Sequence, residues 1–303
     1  LRHFNRRNGL ERRCGRASPR QVQARNLIKG GAPVGVFDSG IGGLTVAHAI
    51  ENRLPAERIH YFGDTAHMPY GERSPALVCR YATRIARHLV DSGCKALVIA
   101  CNTASANALD AVRAEVGPDI PVIDVVAPVV AQVVKSRLSS IGVIGTRATV
   151  ASGLYGRLLR AGGTAEVHEF ATPLLAPLIE EGWHHSESNI IEPIIRGYLD
   201  RAAFGNLDGL VLGCTHYPLA SAGFASVLGA GVKIFDAPAA VADSLAEALE
   251  TAGLLADAGL AGGVVNRPAH RFEVSDLTPS FSASARVFFG ANLSLEACDL
   301  WTD

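Results

Sequence analysis

Two stretches of the chain set a cysteine at the end of an apolar run and follow it with small polar residues: ALVIACNTASANA (96–108) and DGLVLGCTHYPLA (208–220). Where a strand ends and a helix begins, unpaired backbone N–H groups and the helix dipole stabilise a thiolate and bind an anionic group. Cys101 and Cys214 are therefore candidates for proton transfer or nucleophilic chemistry. His216 follows Cys214 closely enough to be its proton partner. A third stretch, DSGIGGLT (38–45), places Asp38 and Ser39 directly after another apolar run, with small residues that let a ligand approach the backbone. It has neither G-x-G-x-x-G nor Gly-Lys-Ser/Thr spacing, so it is neither a dinucleotide fingerprint nor a P-loop.

Plainer roles stand beside these. Asp38 is equally suited to capping a helix, and Cys101 and Cys214 could instead be joined as a disulfide. Cys79, Cys94 and Cys298 read as small buried hydrophobes. No zinc is expected on Cys101 or Cys214, since neither has a second ligand at the usual close spacing. Pyridoxal chemistry needs a Schiff-base lysine, and the four lysines (29, 95, 135 and 233) lie outside any phosphate-binding context. The adjacent His184 and His185 read as surface loop. Neither a metal nor a cofactor is expected.

The elements that must position these residues are short apolar runs alternating with helical segments. PVGVF (33–37), RIHYFGD (58–64), CKALVIA (94–100), IPVID (120–124), SIGVIGT (140–146), TAEVHEF (164–170), DGLVLG (208–213) and a final VKIFDA read as strands. Several are apolar on both faces, as in a parallel sheet covered by helices on each side. The fold class is therefore α/β, doubly wound. VGVFDSGIGGLTV (34–46) also resembles IGVIGTRATVASG (141–153) at an offset of 107, and the two cysteines lie 113 apart. Two related halves would explain both offsets. Ligands in such sheets bind beyond the carboxyl ends of the strands, which here carry Asp38-Ser39, Cys101-Asn102-Thr103, Thr146 and Cys214-Thr215-His216.

Composition sets wider bounds. The chain has 303 residues, 48% of them hydrophobic, and a formal net charge of −1. That supports one large or two ordinary domains and argues against nucleic acid or a membrane surface as the main partner. No apolar run reaches the length of a membrane span, about 18 to 20 residues, so a soluble protein is expected. Six cysteines without framework spacing suit reduced thiols in the cytoplasm. Residues 1–30 carry eight arginines and a lysine against one glutamate; they read as a disordered extension or an upstream-start artefact, with an Arg-rich transit peptide as the alternative.

VFDSGIGGLTV, YFGDTAHMPYG, VIACNTASA, GVIGTRAT, PLIEEG and LGCTHYPL, in that order within a match running from about Val34 to Asp243, together resemble the glutamate racemase family, cofactor-independent enzymes that supply D-glutamate for peptidoglycan. The carboxyl-terminal FEVSDLTPSFSASARVFFG resembles the family's end only loosely. The resemblance implies two pseudo-symmetric doubly wound α/β domains with the active site in the cleft between them. Residues 31–125 plus 237–303 would form the one carrying Cys101, and 126–236 the one carrying Cys214.

The same resemblance implies a two-base mechanism, in which one thiol removes the α-proton and the other returns it on the opposite face. Cys101 would serve the D-enantiomer with help from Asp38, and Cys214 the L-enantiomer with help from His216. Glu180 and Asp64 match acidic positions near the site. Ser39, Tyr70, Gly71, Asn102, Thr103, Thr146, Thr149 and Thr215 match substrate-binding positions. Arg147 is the one cation inside these motifs. The partner is a small molecule, L- or D-glutamate, and a homodimer is left open. Two alternatives remain at this stage: a racemase of the same superfamily acting on aspartate or another amino acid, and a non-catalytic binding protein on the same scaffold.

Overall fold

A computed structural model describes residues 31–184, 190–202, 204–257, 268–290 and 293–301; the basic extension and His185 lie outside them. The eight apolar runs form strands β1 (Val34–Asp38), β2 (Ile59–Gly63), β3 (Ala96–Ile99), β4 (Val122–Asp124), β5 (Ser140–Gly145), β6 (Glu166–Ala171), β7 (Gly209–Gly213) and β8 (Lys233–Phe235). Two further strands, β9 (Arg271–Val274) and β10 (Glu296–Ala297), carry no apolar run of their own. One sheet has the order β10-β9-β2-β1-β3-β4 and the other β6-β5-β7-β8. All their pairings are parallel.

The repeat seen in the sequence is a repeat of topology. The order β2-β1-β3-β4 recurs as β6-β5-β7-β8. An offset of 107 carries Phe37 to Ile144 and one of 113 carries Ile99 to Leu212, and both pairs, Phe37 with Ile99 and Ile144 with Leu212, are partners in register. In each sheet the chain order reverses beside the first strand of its half, which opens a crevice at the strands' carboxyl ends between β1 and β3 and between β5 and β7.

Helices cover both faces of the larger sheet. Alternate residues of β1 divide between them: Val34 and Val36 join a core that continues into the second sheet through Ile141, Val143, Leu210 and Leu212, while Phe37 faces α2 (Pro75–Asp91) and α3 (Asn102–Val116). Helix α2 begins at the Ser74 cap with Pro75 in its first turn, and buries Val78, Tyr81, Ala82, Ile85 and Leu89 along one stripe. That three-and-four spacing is what makes it helical and amphipathic. Truncating Leu89 to alanine there would cost about 2–5 kcal/mol. On the opposite face, α1 (Leu44–Arg53) packs against α10 (Pro238–Thr251), which also touches α4 (Val126–Ser136). The second sheet carries α5 (Arg147–Ser152), α6 (Leu154–Ala161), α7 (Leu175–Glu180), α8 (Ile191–Ala202) and α9 (Ser221–Leu228), and α11 (Pro279–Phe289) follows β9. Among the described residues, no helix is long and apolar enough to cross a membrane.

Candidate active site

The two crevices open onto one cavity of about 190 Å3. Cys101 lines it after β3 and Cys214 after β7; both are buried free thiols, so the disulfide alternative is set aside. Ser39, Tyr70, Gly71, Asn102, Thr103, Thr146, Glu180, Thr215 and His216 line the same space. Asp38 and Thr149 stand one layer behind it, both buried.

Cys101 occupies the cap position of α3, where its sulfur accepts the Ala104 N–H at 3.4 Å. Its thiol also donates to the Ser39 hydroxyl at 3.6 Å. Burial, then the Asp38 carboxylate, push the Cys101 thiol up to about 12 against the lowering effect of these contacts. The neutral thiol is therefore its resting form. Asp38 does serve as a turn anchor, because its Oδ2 accepts the Gly43 N–H at 2.9 Å, yet its Oδ1 is buried without a hydrogen-bond partner. A buried carboxylate oxygen left open beside a thiol is what a proton-transfer or ammonium-binding site requires.

The second thiol is supported differently. No α-helix begins at Cys214; a single 3-10 turn, Tyr217–Ala220, separates it from α9. The sequence expectation of a helix start behind each thiol thus holds for Cys101 alone. In place of that dipole, Cys214 Sγ lies 3.7 Å from His216 Nδ1, and His216 Nε2 lies 2.6 Å from Glu180 Oε1. Burial disfavours the imidazolium, but the hydrogen bonds and charges of Cys214 and Glu180 outweigh it and hold His216 well above the ordinary histidine range. Cys214, His216 and Glu180 form a thiol–imidazole–carboxylate relay.

The remaining polar groups of the lining are uncharged. The Thr103, Thr146 and Thr149 hydroxyls form a triangle with edges of 2.9, 3.2 and 2.9 Å, joining the start of α3 to the β5–α5 turn. Tyr155 donates its hydroxyl to Asn102 Oδ1 at 2.7 Å, which leaves Asn102 Nδ2 buried without a partner. That amide is a ready donor for a carboxylate. Among the described residues no arginine or lysine lines the cavity, and Arg147 pairs with Glu72 on the surface.

Two expectations change in detail. The Tyr70 phenol donates to Asp64 at 2.6 Å, so its proton is held away from a ligand, and burial with Asp64 keeps its pKa well above that of free tyrosine. Asp64 itself lies outside the cavity, fully buried, and also accepts from Ser275 and Trp301. The small residues of DSGIGGLT are expected to let a ligand approach the backbone; Gly40 does line the cavity, whereas a Cβ on Gly42 would meet His216 and Thr215 Oγ1 at 2.5 Å, so the smallness of Gly42 serves the approach of the other half. His184 sits partly buried in the turn after α7. The sequence reading missed Met68, Pro69, Ala176 and Pro177 in the lining, although each falls in or beside a quoted motif. Tyr155, Ser275 and Trp301 gave no local signal.

Residues 35–245 match the family model described as Asp/Glu/Hydantoin racemase. The glutamate racemase of Beutenbergia cavernae is 41% identical over 264 residues, covering 86% of this chain and 90% of that protein. The crystal structure of the Francisella tularensis glutamate racemase in complex with D-glutamate superposes with a TM-score of 0.81 at 36% identity, over 89% of this chain and 98% of that one. The Thermus thermophilus glutamate racemase in complex with β-chloro-D-alanine gives 0.78 at 38%, over 90% and 98%.

Proposed function

The chain belongs to the Asp/Glu/hydantoin racemase family, and from that membership we propose that it is a cofactor-independent glutamate racemase whose two proton-transfer groups are Cys101 and Cys214. The observation that carries this is the placement of two free thiols on one small cavity, each at the carboxyl end of an equivalent strand and each with its own ionisable partner.

In the direction from L to D, Cys214 takes the α-proton and Cys101 returns one to the opposite face. The raised pKa of Cys101 suits the donor, since its proton is present at neutral pH, and the raised pKa of His216 lets an imidazolium stabilise the neighbouring thiolate. In the reverse direction the Cys101 thiolate, beside Asp38, is a strong base. Asn102 Nδ2 and the hydroxyls of Ser39, Thr103, Thr146 and Thr215 would hold the carboxylates, with Thr149 and Tyr155 fixing them from behind. With no arginine or lysine among its described lining residues, the cavity would bind a dianion mainly through neutral donors, with the His216 imidazolium as its cation.

The same proposal extends to setting and organisation: a cytoplasmic enzyme supplying D-glutamate to peptidoglycan synthesis, able to act as a homodimer, with residues 31–125 plus 237–303 and residues 126–236 as its two domains. The sheets support that division, since β1–β4 with β9 and β10 form one and β5–β8 the other. The test is the rate at which purified protein forms D-glutamate from L-glutamate without added cofactor, beside a panel including L-aspartate. Turnover of aspartate in preference to glutamate would redirect the substrate assignment, and inactivity on every amino acid would favour the binding-protein alternative.

A further inference from the structure

On the far side of the larger sheet from the β5–β8 half, four elements bring soft and borderline donors to one point. His60 comes from β2, His88 from α2, Glu273 from β9 and Cys298 from the segment after β10. Glu273 Oε2 lies 2.7 Å from His60 Nε2 and 2.9 Å from His88 Nε2, and Cys298 Sγ lies 3.9 Å from the same His88 nitrogen. The histidine and carboxylate ligand atoms all fall within 4.8 Å of one another. The Cys298 thiol is also within hydrogen-bonding reach of Glu273. None of these groups takes part in the proton transfer described above.

We propose that His60, His88, Glu273 and Cys298 form a structural zinc site. Donor chemistry and count are those of a closed four-coordinate centre, with imidazole nitrogen, carboxylate oxygen and thiolate sulfur. Tetrahedral bonds of about 2.0 to 2.3 Å put ligand atoms about 3.3 to 3.6 Å apart. The two N···O edges open slightly and the S···N edge closes slightly to receive the ion. Ligand-orienting partners are already in place, as a metal site requires. Arg271 pairs with the other carboxylate oxygen, Glu273 Oε1, at 2.5 Å, and Cys94 Sγ lies 3.9 Å from the second ring nitrogen of His60. One carboxylate and one thiolate balance the charge of Zn(II). His60 and Glu273 are buried, whereas His88 and Cys298 are partly open and provide an entry path. Sequence spacing hides the site, because 213 positions separate His60 from Glu273.

Such an ion ties the carboxyl-terminal segment to β2 and α2, three residues before Trp301, whose indole donates to Asp64 at 3.0 Å. The site thus secures the layer behind Tyr70 without touching the cavity. The test is to strip the full chain with chelator, remove the chelator and titrate Co(II) and Zn(II). The expected result is one ion per chain, a thiolate-to-cobalt charge-transfer band, and a thermal midpoint that rises with added Zn(II). Cys298→Ser should lose the band and His88→Gln the stoichiometric binding, both keeping racemase activity. Arg271→Gln should weaken affinity by about 10- to 100-fold. A Cys101→Ser/Cys214→Ser double variant should still bind with the band intact. Absence of stoichiometric uptake by the unaltered chain would overturn the proposal. So would a band that survives in Cys298→Ser and disappears in the double variant, since that places the ion in the cavity.

Discussion

Replacing Gly42 by alanine is the sharpest way to separate the two halves of the site without removing either thiol. The added Cβ would lie 2.5 Å from His216 Cε1 and Nδ1 and 2.5 Å from Thr215 Oγ1, whereas ordinary contact begins near 3.4 Å. Relief requires the ring or the loop to move by about 0.9 Å. His216 is held between Cys214 at 3.7 Å and Glu180 at 2.6 Å, so a shift of that size breaks the relay at one end. Overpacking of this kind costs about 1–3 kcal/mol of stability, and a misplacement near 1 Å at a reacting group costs on the order of 100-fold in rate. Racemisation should therefore fall by about that factor in both directions, because the equilibrium constant between enantiomers is 1 and the two specificity constants must change together. A glutamate analogue with a leaving group on the β-carbon breaks that constraint, since elimination after proton removal needs no return proton. Gly42→Ala should lose elimination from the L-analogue, served by Cys214, and keep it from the D-analogue, served by Cys101. Equal losses on both analogues, or none, would refute the reasoning.

Four further outcomes follow from the site. Tyr155→Phe removes the hydroxyl that holds Asn102 Oδ1, which should raise KM for glutamate more than it lowers kcat and cost about 1–3 kcal/mol in urea unfolding; an unchanged KM would contradict Asn102 as a carboxylate donor. His216 has a folded pKa raised above its unfolded value near 6.5, so its charged form contributes stability that is fully present below about pH 6.5 and lost as pH rises through the folded pKa. The stability gap between wild type and His216→Asn should shrink with rising pH, and a gap that widens would contradict the assignment. Turnover should need no pyridoxal phosphate and survive dialysis against chelator, while thiol alkylation abolishes it and glutamate protects. Labelling of Cys101 should accelerate steeply toward pH 12, and pH-independent labelling would contradict the raised thiol.

The parts of this molecule legible in its sequence are those with a local signature. Strands β1, β2, β3, β5 and β7 announced themselves as apolar runs because a covered parallel sheet buries both faces. The repeat was legible because equivalent strands keep equivalent neighbours, so that Phe37 and Ile99 recur as Ile144 and Leu212. The thiols stood out by position, each closing an apolar run. By contrast, β9 reads as RFEV, and its glutamate is buried only because His60, His88 and Arg271 surround it. Tyr155 reaches Asn102 across 53 positions and Trp301 reaches Asp64 across 237. Neither pairing leaves a periodic trace. The close approach of His216 to Gly42, from the other half of the chain, leaves no local trace for the same reason.

The central claim is that Cys101 and Cys214 act on opposite faces of one α-carbon, and elimination by the single-cysteine variants tests it most directly. Each of Cys101→Ser and Cys214→Ser should lose racemisation, because one proton donor or acceptor is gone, while retaining one base that reaches only the hydrogen on its own side. With the β-substituted analogue, Cys214→Ser should eliminate from the D-form through Cys101, and Cys101→Ser from the L-form through Cys214. Elimination from the same enantiomer by both variants, or racemisation of glutamate at the wild-type rate by either, would contradict the account.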